Sequence, residues 1–518
     1  MKQFITISLW AIALLVGICL SACTDSTDDV VISSEAEYYL RLQLIFSNGV
    51  TDTRATTTPP EGDEDGDGRE DAHYNENNIY DVCFFIYNDG GKFFNAANDA
   101  TTIKYKGYVG GLTLSGSTYY QTPPIKIKSY TPATGDRIIV FANVGDVTSH
   151  YSTVGQLKSA EISRENTWTT SAKIKDYNRF AMSSCTDDTD NGKIDYTEPG
   201  TEGNPFLATA EIERIAARVD WVLPLNSSSE PDLDTNGAKY TVSESGTVGT
   251  MYITDIRMVN DAISNTYMIR RSAPTVGGNV TYMDKQTVDL KNRPQSYVIT
   301  PTTVDKKTEV TYSTWYSSTY SDSKVATFFS TTEYNVYNNA NSTDDRFPID
   351  GNWCYTIGYT MENTMDATKQ DNNLRTGLLL KSVFVPTTVY TAADLSTQTT
   401  GTYGSTFYYL ENEDDRVLSM FFDTQTNMDS YIAAHPGNYS KHEYTNGICY
   451  YYIWIKHAGC EDPALEGTYP MEYAIVRNNI YRIKVERVLS IGTPTPEPTK
   501  EAIRVRRWNR REHPEILL

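Results

Sequence analysis

Apolar residues recur at every second position along the segment from Glu37 to Phe46. Tyr38, Leu40, Leu42, Leu44 and Phe46 fall on one side, and Glu37, Tyr39, Arg41 and Gln43 fall on the other. This period of two is typical of a strand with one buried face. A polar segment rich in proline and acidic residues follows and runs to Asn78. The pattern therefore predicts an N-terminal strand that a long flexible linker ties to the rest of the chain.

Short apolar runs, rich in β-branched and aromatic residues, recur downstream between clusters of Gly, Asn, Asp and Thr, as in an all-β protein. Two segments, 153–162 and 428–434, are predicted as short helices. No exact repeat is present, which disfavours a solenoid or a propeller. The predicted strands are 79–87, 125–127, 137–143, 216–222, 251–259, 297–299, 325–329, 378–385, 450–455 and 480–489. We expect β-sandwich domains with few helices.

The last residues, 500–518, follow a Pro-rich segment at 492–499 that predicts a short extended linker. β character returns in this tail, whose apolar residues are Ile503, Val505, Trp508, Ile516 and Leu518. Its five arginines either bind an anion or form the polar face of a strand that docks on an acidic neighbouring subunit. The acidity of the chain favours the second interpretation.

The N-terminal 23 residues have the pattern of a lipoprotein signal peptide. Lys2 supplies a positive charge, residues 4–20 are largely apolar, and residues 20–23 read LSAC. Cleavage before Cys23 makes its thiol the predicted lipidation site. A transmembrane anchor is the alternative, but the apolar run is short for a hydrocarbon core of about 30 Å.

Composition narrows the class of protein. The chain has 66 acidic and 45 basic residues and a formal net charge of −21, which argues against nucleic-acid binding. It has six histidines, and the zinc motif that begins at His442 fails at Asn446. No nucleophile elbow, phosphate-binding loop or dinucleotide motif is present, and no pair of carboxylates is singled out. We therefore predict neither an enzyme nor a cofactor.

Seven cysteines are present, and two of them, Cys19 and Cys23, fall in the signal segment. The remaining five form no close pairs, so the sequence does not predict a disulfide framework. Cys83 lies in an apolar run and is predicted to pack as a small hydrophobic residue.

One acidic segment, 187–198, is spaced like a calcium loop. The residues that would supply oxygen ligands are Asp187, Asn191, Asp195 and Glu198. Thr189 departs from the pattern, since aspartate or asparagine usually stands there. An acidic surface loop remains the default interpretation, and no other metal site is predicted.

The dipeptide Arg54-Ala55 lies in the polar linker. Arg54 is either an ordinary linker residue or the cleavage site of an Arg-specific protease, since proteases cut exposed flexible segments. Its position just after the alternating strand favours cleavage.

Four stretches resemble the Bacteroidales fimbrillins, or type V pilins, and among them the major subunit of the short-fimbria type. They are the lipobox with the strand and Arg54 behind it, the segment ERIAARV at 213–219, ITDIR at 253–257, and VRNNIYRI at 476–483, which leads into the Pro-rich linker and the tail. The resemblance spans the chain but is patchy between residues 300 and 470.

The resemblance implies two transthyretin-like β-sandwich domains with exchange strands at both ends. It divides the chain into a signal peptide (1–23), a propeptide with the first strand (24–54), an N-terminal domain (55–208), a C-terminal domain (209–499) and a donor strand (500–518). After cleavage at Arg54 the first strand is lost, and the donor strand of another subunit replaces it. Arg510 and Arg511 depart from the more apolar tail of the family.

The implied function is that of a structural subunit of a cell-surface fimbria, which supports adhesion, biofilm formation and virulence. The precursor would be an outer-membrane lipoprotein, and the mature subunit would be extracellular. The implied partners are copies of the chain, tip and anchor subunits, an Arg-specific surface protease, host or bacterial receptors and, in the precursor, a lipid anchor. A tip or accessory adhesin that binds a glycan or host protein is the main alternative, and a surface hydrolase is a second.

The alternating strand gives this mechanism a physical basis. A sandwich that lacks one strand exposes an apolar groove and unpaired backbone groups, and both favour the addition of a strand. The five apolar side chains of the first strand would fill the groove until cleavage. A donor at one end and an acceptor at the other make a head-to-tail contact, which builds an open filament.

Overall fold

Two large β-sheets dominate the computed structural model of the chain. The structure describes residues 37–46, 75–88, 93, 96–113, 119–171, 177–184, 192–229, 231–234, 236–243, 247–259, 265–273, 297–299, 346–349, 352–363, 375–414, 419–457, 472–495 and 503–507. Strands prevail throughout these residues, so the predicted all-β class is confirmed. The predicted strand at 325–329 lies outside them.

The first sheet contains nine strands of the N-terminal part of the chain. They are β1 (Glu37–Phe46), β2 (Val82–Tyr87), β3 (Tyr105–Val109), β4 (Tyr119–Gln121), β5 (Ile125–Lys128), β6 (Arg137–Ala142), β8 (Met182–Ser184), β9 (Ile194–Asp195) and β10 (Phe206–Arg214). The order in the sheet is β3-β2-β6-β8-β10-β1-β4, with β5 beside β1 and β9 beside β10.

Strands β2 and β6 lie at the centre of this part of the protein and are buried on both faces. On one face, Phe84 and Val140 pack with the inward side chains of β1 and β10 in one core. On the other face, Cys83 and Phe85 pack against helix α1 (Val154–Lys158). Burial on both faces explains why β2 is a continuous apolar run, whereas β1, buried on one face, alternates.

The second sheet contains ten strands. They are β11 (Ala216–Val222), β12 (Leu233–Asp234), β13 (Gly237–Ser243), β14 (Thr247–Val259), β18 (Arg346–Ile349), β19 (Asn352–Met361), β20 (Gly377–Pro386), β26 (Ile448–Trp454), β27 (Ile480–Val488) and β28 (Ile503–Arg507). The order is β18-β19-β11-β27-β13-β14-β20-β26, with β12 beside β13 and β28 beside β27. The chain passes from the first sheet to the second between Arg214 and Ala216, and the domain boundary at 208/209 stays a prediction.

A smaller five-stranded sheet follows β20 and packs on the second core through Phe407, Phe421 and Tyr444. Its strands are β21 (Val389–Tyr390), β22 (Gln398–Thr399), β23 (Phe407–Asn412), β24 (Met420–Phe422) and β25 (Tyr439–Tyr444), and helix α2 (Gln425–Ala434) covers its other face. Two further pairs are β7 (Glu161–Ser163) with β15 (Asn265–Tyr267), and β16 (Arg271–Ala273) with β17 (Tyr297–Ile299).

One of the two predicted helices is shorter than expected. Helix α1 begins after Thr153, whose side chain and that of Gln156 form a capping box, and it ends at Lys158. Ile162, predicted as helical, instead lies in β7, opposite Thr266 of β15. The prediction for 159–162 was wrong because the partner strand comes from the second half of the chain. The second helix is confirmed and is longer, at 425–434. No helix within the described residues is long and apolar enough to span a membrane.

The described cysteines are free and buried, as predicted for Cys83. Burial raises the pKa of the Cys83 thiol to about 11 and that of Cys449 to about 12. Because the thiolate is the reactive form, we expect both to react with iodoacetamide at pH 8 at least tenfold more slowly in the native protein than in urea. Peptide mass spectrometry after a timed pulse measures this ratio. Equal labelling in both conditions would contradict the burial.

Candidate functional site: the β1 groove and the junction of the two sheets

Strand β1 is an interior strand of the first sheet and not an edge strand. It pairs in parallel with β10, from Leu40 opposite Phe206 to Phe46 opposite Ile212. Along its other edge it pairs antiparallel with β4 and β5. The alternating N-terminal segment is thus a strand with neighbours on both sides.

The inward side chains of β1 fill the first core. Leu40, Leu42 and Leu44 are each 0% exposed, and Phe46 is 4% exposed. Tyr38 is half-buried and packs at 5.3 Å, ring centre to ring centre, from Phe206. The four buried side chains contribute about 6–12 kcal/mol of gross hydrophobic stabilisation, at about 1.5–3 kcal/mol each. β1 is therefore a major part of this core, although it precedes a segment that carries Arg54.

Hydrogen bonds fix the backbone of β1 at two further places. The N–H of Leu42 donates to the hydroxyl of Thr122 at 3.0 Å, and the N–H of Thr122 donates to the carbonyl of Leu42 at 3.0 Å. The N–H of Tyr39 donates to the carbonyl of Gly200 at 2.8 Å. Any strand that takes the place of β1 must offer the same donors and acceptors.

A pair of lysines lies at the edge where β1 begins. The Nζ atoms of Lys126 and Lys128, both in β5, lie 2.6 and 3.1 Å from the carboxylate oxygens of Glu37. These side chains are 42–57% exposed. The two lysines lower the pKa of Glu37, chiefly through their hydrogen bonds. Glu37 is therefore ionised at neutral pH and faces two cations.

A buried carboxylate, Glu76, joins the two sheets. It accepts hydrogen bonds from Arg218 Nη1 at 3.0 Å and from the hydroxyl of Tyr359 at 2.6 Å, both in the second sheet. Arg214 of the first sheet lies 3.8 Å from its other oxygen. Glu76 is 2% exposed. It lies within the segment predicted as flexible linker, so that prediction was wrong for residues 75–78.

Asp220 extends this cluster into the second sheet. Its carboxylate lies 3.1 Å from Arg218 Nε and 3.6 Å from Arg482, and it accepts a hydrogen bond from Thr356 at 2.9 Å. Burial disfavours the charged guanidinium of Arg218, but the carboxylates of Asp220 and Glu76 outweigh burial and raise its pKa. Arg218 therefore stays charged and holds both carboxylates.

A second buried ion pair holds residues 265–269, an arm from the second half of the chain, against the first half. Arg477 Nη2 lies 2.6 Å from Glu362 Oε2, and Arg477 Nη1 donates to the carbonyl of Met268 at 2.8 Å. Met268 in turn donates its N–H to the carbonyl of Ala160 at 2.8 Å. Its side chain is buried in the apolar cluster that contains Val154 and Leu157 of helix α1. The strand just before it, β15, pairs with β7. Arg477 thus anchors the 265–269 arm that links the two halves.

The predicted donor tail is described only over β28. Ile503 and Val505 lie in this strand, which pairs antiparallel with β27 of the same chain, from Ile483 opposite Arg507 to Val488 opposite Ile503. The other predicted donor residues, Trp508, Ile516 and Leu518, lie outside the described residues, as do Cys23, Arg54 and Ala55.

The calcium candidate is described only in part. Asp195 and Glu198 are exposed, and Asp195 accepts a hydrogen bond from the N–H of Thr197 at 2.9 Å. Asp187 and Asn191 lie outside the described residues, so this site stays a prediction. Among the residues that the structure places, no cluster of three or more His, Cys, Asp or Glu side chains is arranged to hold a metal ion.

Glu76, Arg218 and Arg477 are central residues that the sequence did not single out. A signal was present for the arginines, because Arg218 interrupts an apolar run and Arg477 ends one, within the segments 213–219 and 476–483 on which the resemblance rests. No such signal marks Glu76 in the sequence, because it is one of many acidic residues in its segment.

Residues 442–513 match the family described as major fimbrial subunit protein type IV, Fimbrillin, C-terminal. This match covers strands β26, β27 and β28 of the second sheet. The predicted resemblance to the fimbrillins is confirmed over these residues. A search of curated proteins finds no match to the chain.

Solved structures of low sequence identity are also similar. A candidate cell adhesion protein from Bacteroides eggerthii is 14% identical, with 91% of this chain and 94% of that chain covered and a TM-score of 0.34. The tip fimbrial protein Mfa3 from Porphyromonas gingivalis is 11% identical, with 88% and 100% covered and a TM-score of 0.35. The fimbrial anchor protein Mfa2 from the same organism is 9% identical, with 44% and 70% covered and a TM-score of 0.18.

Proposed function

We propose that the chain is a stalk-type fimbrial subunit that polymerises by donor-strand exchange after cleavage at Arg54. The observation that carries the proposal is β1, a strand with four buried side chains whose link to the next described strand contains Arg54. Cleavage there leaves β1 held only by its non-covalent contacts. A strand held in this way can be exchanged for another.

Loss of β1 would leave a groove with a defined shape. The edge of β10 on one side and those of β4 and β5 on the other would each expose unpaired backbone groups. Between them, the core side chains that contact Leu40, Leu42 and Leu44 would lose their cover. Such a groove binds an extended strand through main-chain hydrogen bonds and through pockets for alternate side chains.

The proposed donor is the tail, residues 500–518, of a second copy, with Ile503, Val505, Trp508, Ile516 and Leu518 as its apolar residues. Because β28 pairs with β27 in its own chain, the tail must first leave β27. The exchange therefore replaces a contact within one subunit by a contact between two. Repetition of this head-to-tail contact builds an open filament.

In the proposed pathway the precursor reaches the cell surface as a lipoprotein acylated at Cys23, and an Arg-specific surface protease cuts after Arg54. The mature subunit is extracellular, and tip and anchor subunits complete the fimbria. The filament serves adhesion to host or bacterial receptors and biofilm formation. This role requires neither a catalytic site nor a cofactor.

Polymerisation of truncated chains tests the proposal. We expect a chain that begins at Ala55 to form ladders on an unboiled dodecyl sulfate gel, because its groove is open and its tail is intact. The same chain truncated before Lys500 should stay monomeric. Arg54→Ala in the full chain should block processing by an Arg-specific protease.

Two results would contradict the proposal. Equal polymerisation of the tail-less chain would exclude the tail as donor, and maturation of the Arg54→Ala variant at another arginine would exclude the cleavage site. If the Ala55 chain stayed monomeric with its tail intact, the role of a tip or accessory adhesin would be favoured over that of a stalk subunit.

A further inference from the structure

The tail is fastened to the second sheet at two separate places. One attachment is β28, which pairs with β27. The other is the segment 490–493, which lies between these two strands in sequence. The hydrogen bonds described for this segment go to β25 and β26 and not to β27 or β28. Because the two attachments use different strands, one can be lost while the other remains.

Backbone pairing holds the end of this segment against β26. The N–H of Thr493 donates to the carbonyl of Tyr450 at 3.0 Å, and the N–H of Tyr450 donates to the carbonyl of Thr493 at 2.8 Å. In the described order of the second sheet, β26 is the last strand. Thr493 therefore extends the sheet by one pairing beyond β26.

Two buried tyrosines hold the rest of the segment. The hydroxyl of Tyr444, in β25, donates to the carbonyl of Gly492 at 2.7 Å. The hydroxyl of Tyr451, in β26, donates to the carbonyl of Ser490 at 3.2 Å. Both tyrosines are 3% exposed, so these hydrogen bonds form away from competing water.

Glycine at position 492 allows the segment to lie this close to β26. A Cβ atom there would come within 2.3 Å of the carbonyl oxygen of Tyr450 and 2.9 Å of the ring of Tyr451. A backbone carbonyl in a sheet cannot move aside as a flexible side chain can. The neighbouring Ile491 packs on the second core. The segment is therefore closely packed as well as hydrogen-bonded.

We propose that residues 490–493 are a fixed base for the tail, which stays on β26 when β28 leaves β27. The inference rests on the proposed function and defines its moving part, because the joint between two subunits then begins after Thr493 of the donor. Residues 494–502 must span the distance to the acceptor, and a chain of this length reaches about 35 Å at most. Without the base, the joint would begin after Val488, where β27 ends, and would be longer by residues 489–493.

Hydrogen exchange in the uncleaved precursor tests this separation without cleavage or assembly. The probe is Arg504→Pro/Val505→Pro, which removes two successive N–H groups from β28, one of them directed at β27. We expect the remaining amides of β28 to exchange about tenfold faster, while the N–H groups of Tyr450 and Thr493 stay within about twofold of their wild-type rates. Acceleration of Tyr450 and Thr493 by the same factor as β28 would overturn the inference.

Gly492→Ala is the second probe, and Gly203→Ala is its matched control. A Cβ atom at Gly203 meets nothing within 4 Å, so the control makes the same change where there is room. In the precursor, exchange at the N–H of Tyr450 should accelerate about tenfold in Gly492→Ala and keep the wild-type rate in Gly203→Ala. Equal rates in the two variants would overturn the inference, because the base would then not depend on close contact with β26.

Filaments assembled from the Arg54-cleaved chain show whether the base limits the joint. Their persistence length on electron micrographs should fall about twofold in Gly492→Ala, since a longer flexible joint bends more easily. Filaments of Gly203→Ala should be as stiff as those of wild type. Equal stiffness of all three would overturn the role of the base in the joint.

The two proposals can fail separately. If the cleaved protein does not assemble but Tyr450 and Thr493 stay protected in the Arg504→Pro/Val505→Pro precursor, the base exists and polymerisation fails. If the cleaved protein assembles but the base detaches together with β28, donor-strand exchange stands and the inference about the base fails.

Discussion

Glu362→Ala will lower the free energy of unfolding by about 3–5 kcal/mol, the cost of removing one partner of a buried ion pair. Arg477 is 0% exposed and would lose the carboxylate that now lies 2.6 Å from its guanidinium. The hydroxyl of Thr266, which donates to Glu362 at 3.3 Å, would lose the same acceptor. Urea denaturation followed by tryptophan fluorescence measures the change.

Two measurements test whether this loss of stability arises at the 265–269 arm, which joins the two halves of the chain. Asp429→Ala breaks the exposed pair with Lys441 and should cost less than about 1 kcal/mol. Hydrogen exchange at the N–H of Met268, which donates to Ala160, should accelerate in Glu362→Ala and not in Asp429→Ala. A loss below about 1 kcal/mol for Glu362→Ala would mean that the arm is held without this ion pair.

Leu42→Ala in the uncleaved precursor will cost about 2–5 kcal/mol, as for other buried leucines, because the lost side chain leaves a cavity in the first core. Leu42 is 0% exposed and lies in the middle of β1. The same change weakens the hold of β1 after cleavage, so release of the 24–54 fragment should also accelerate. Thermal unfolding of the precursor and gel filtration after proteolysis measure the two effects.

Gln43→Ala is the matched control for this prediction. Gln43 is the next residue along the same strand, but it points to the outer face, where it lies 3.5 Å from Gln121. Surface substitutions of this kind change stability by about 0.5 kcal/mol or less. Equal effects of Leu42→Ala and Gln43→Ala would show that β1 is not seated in the core.

The sequence predicted those elements whose pattern is set by their own burial. β1 alternates because one face meets the core, and the run of β2 is continuous because both faces do. Contacts between distant segments could not be predicted in this way. Whether an arginine such as Arg477 is a surface charge or a buried anchor depends on Glu362, which lies 115 residues away.

Two segments were predicted wrongly for the same reason, namely that contacts between distant segments cannot be predicted from local pattern. Residues 75–78 were predicted as linker because they are polar, yet Glu76 is buried among groups supplied by β10, β11 and β19. Ile162 was predicted as helical because its apolar spacing suits a helix, yet pairing with Thr266 makes it part of a strand. In both cases the deciding partner lies far along the chain, where local periodicity carries no information.

The position of β1 between β10 and β4 also sets the order of events during synthesis. β1 is the first strand of its sheet to be translated, and its parallel partner β10 is the last. Since pairings between distant segments form slowly, β1 must wait for nearly the whole N-terminal half before it can dock. A protease that reached the linker during this interval would remove β1 before the sandwich had closed around it. In the pathway that we propose, cleavage at Arg54 must therefore follow the folding of the N-terminal half, because β1 cannot dock before β10 has been made.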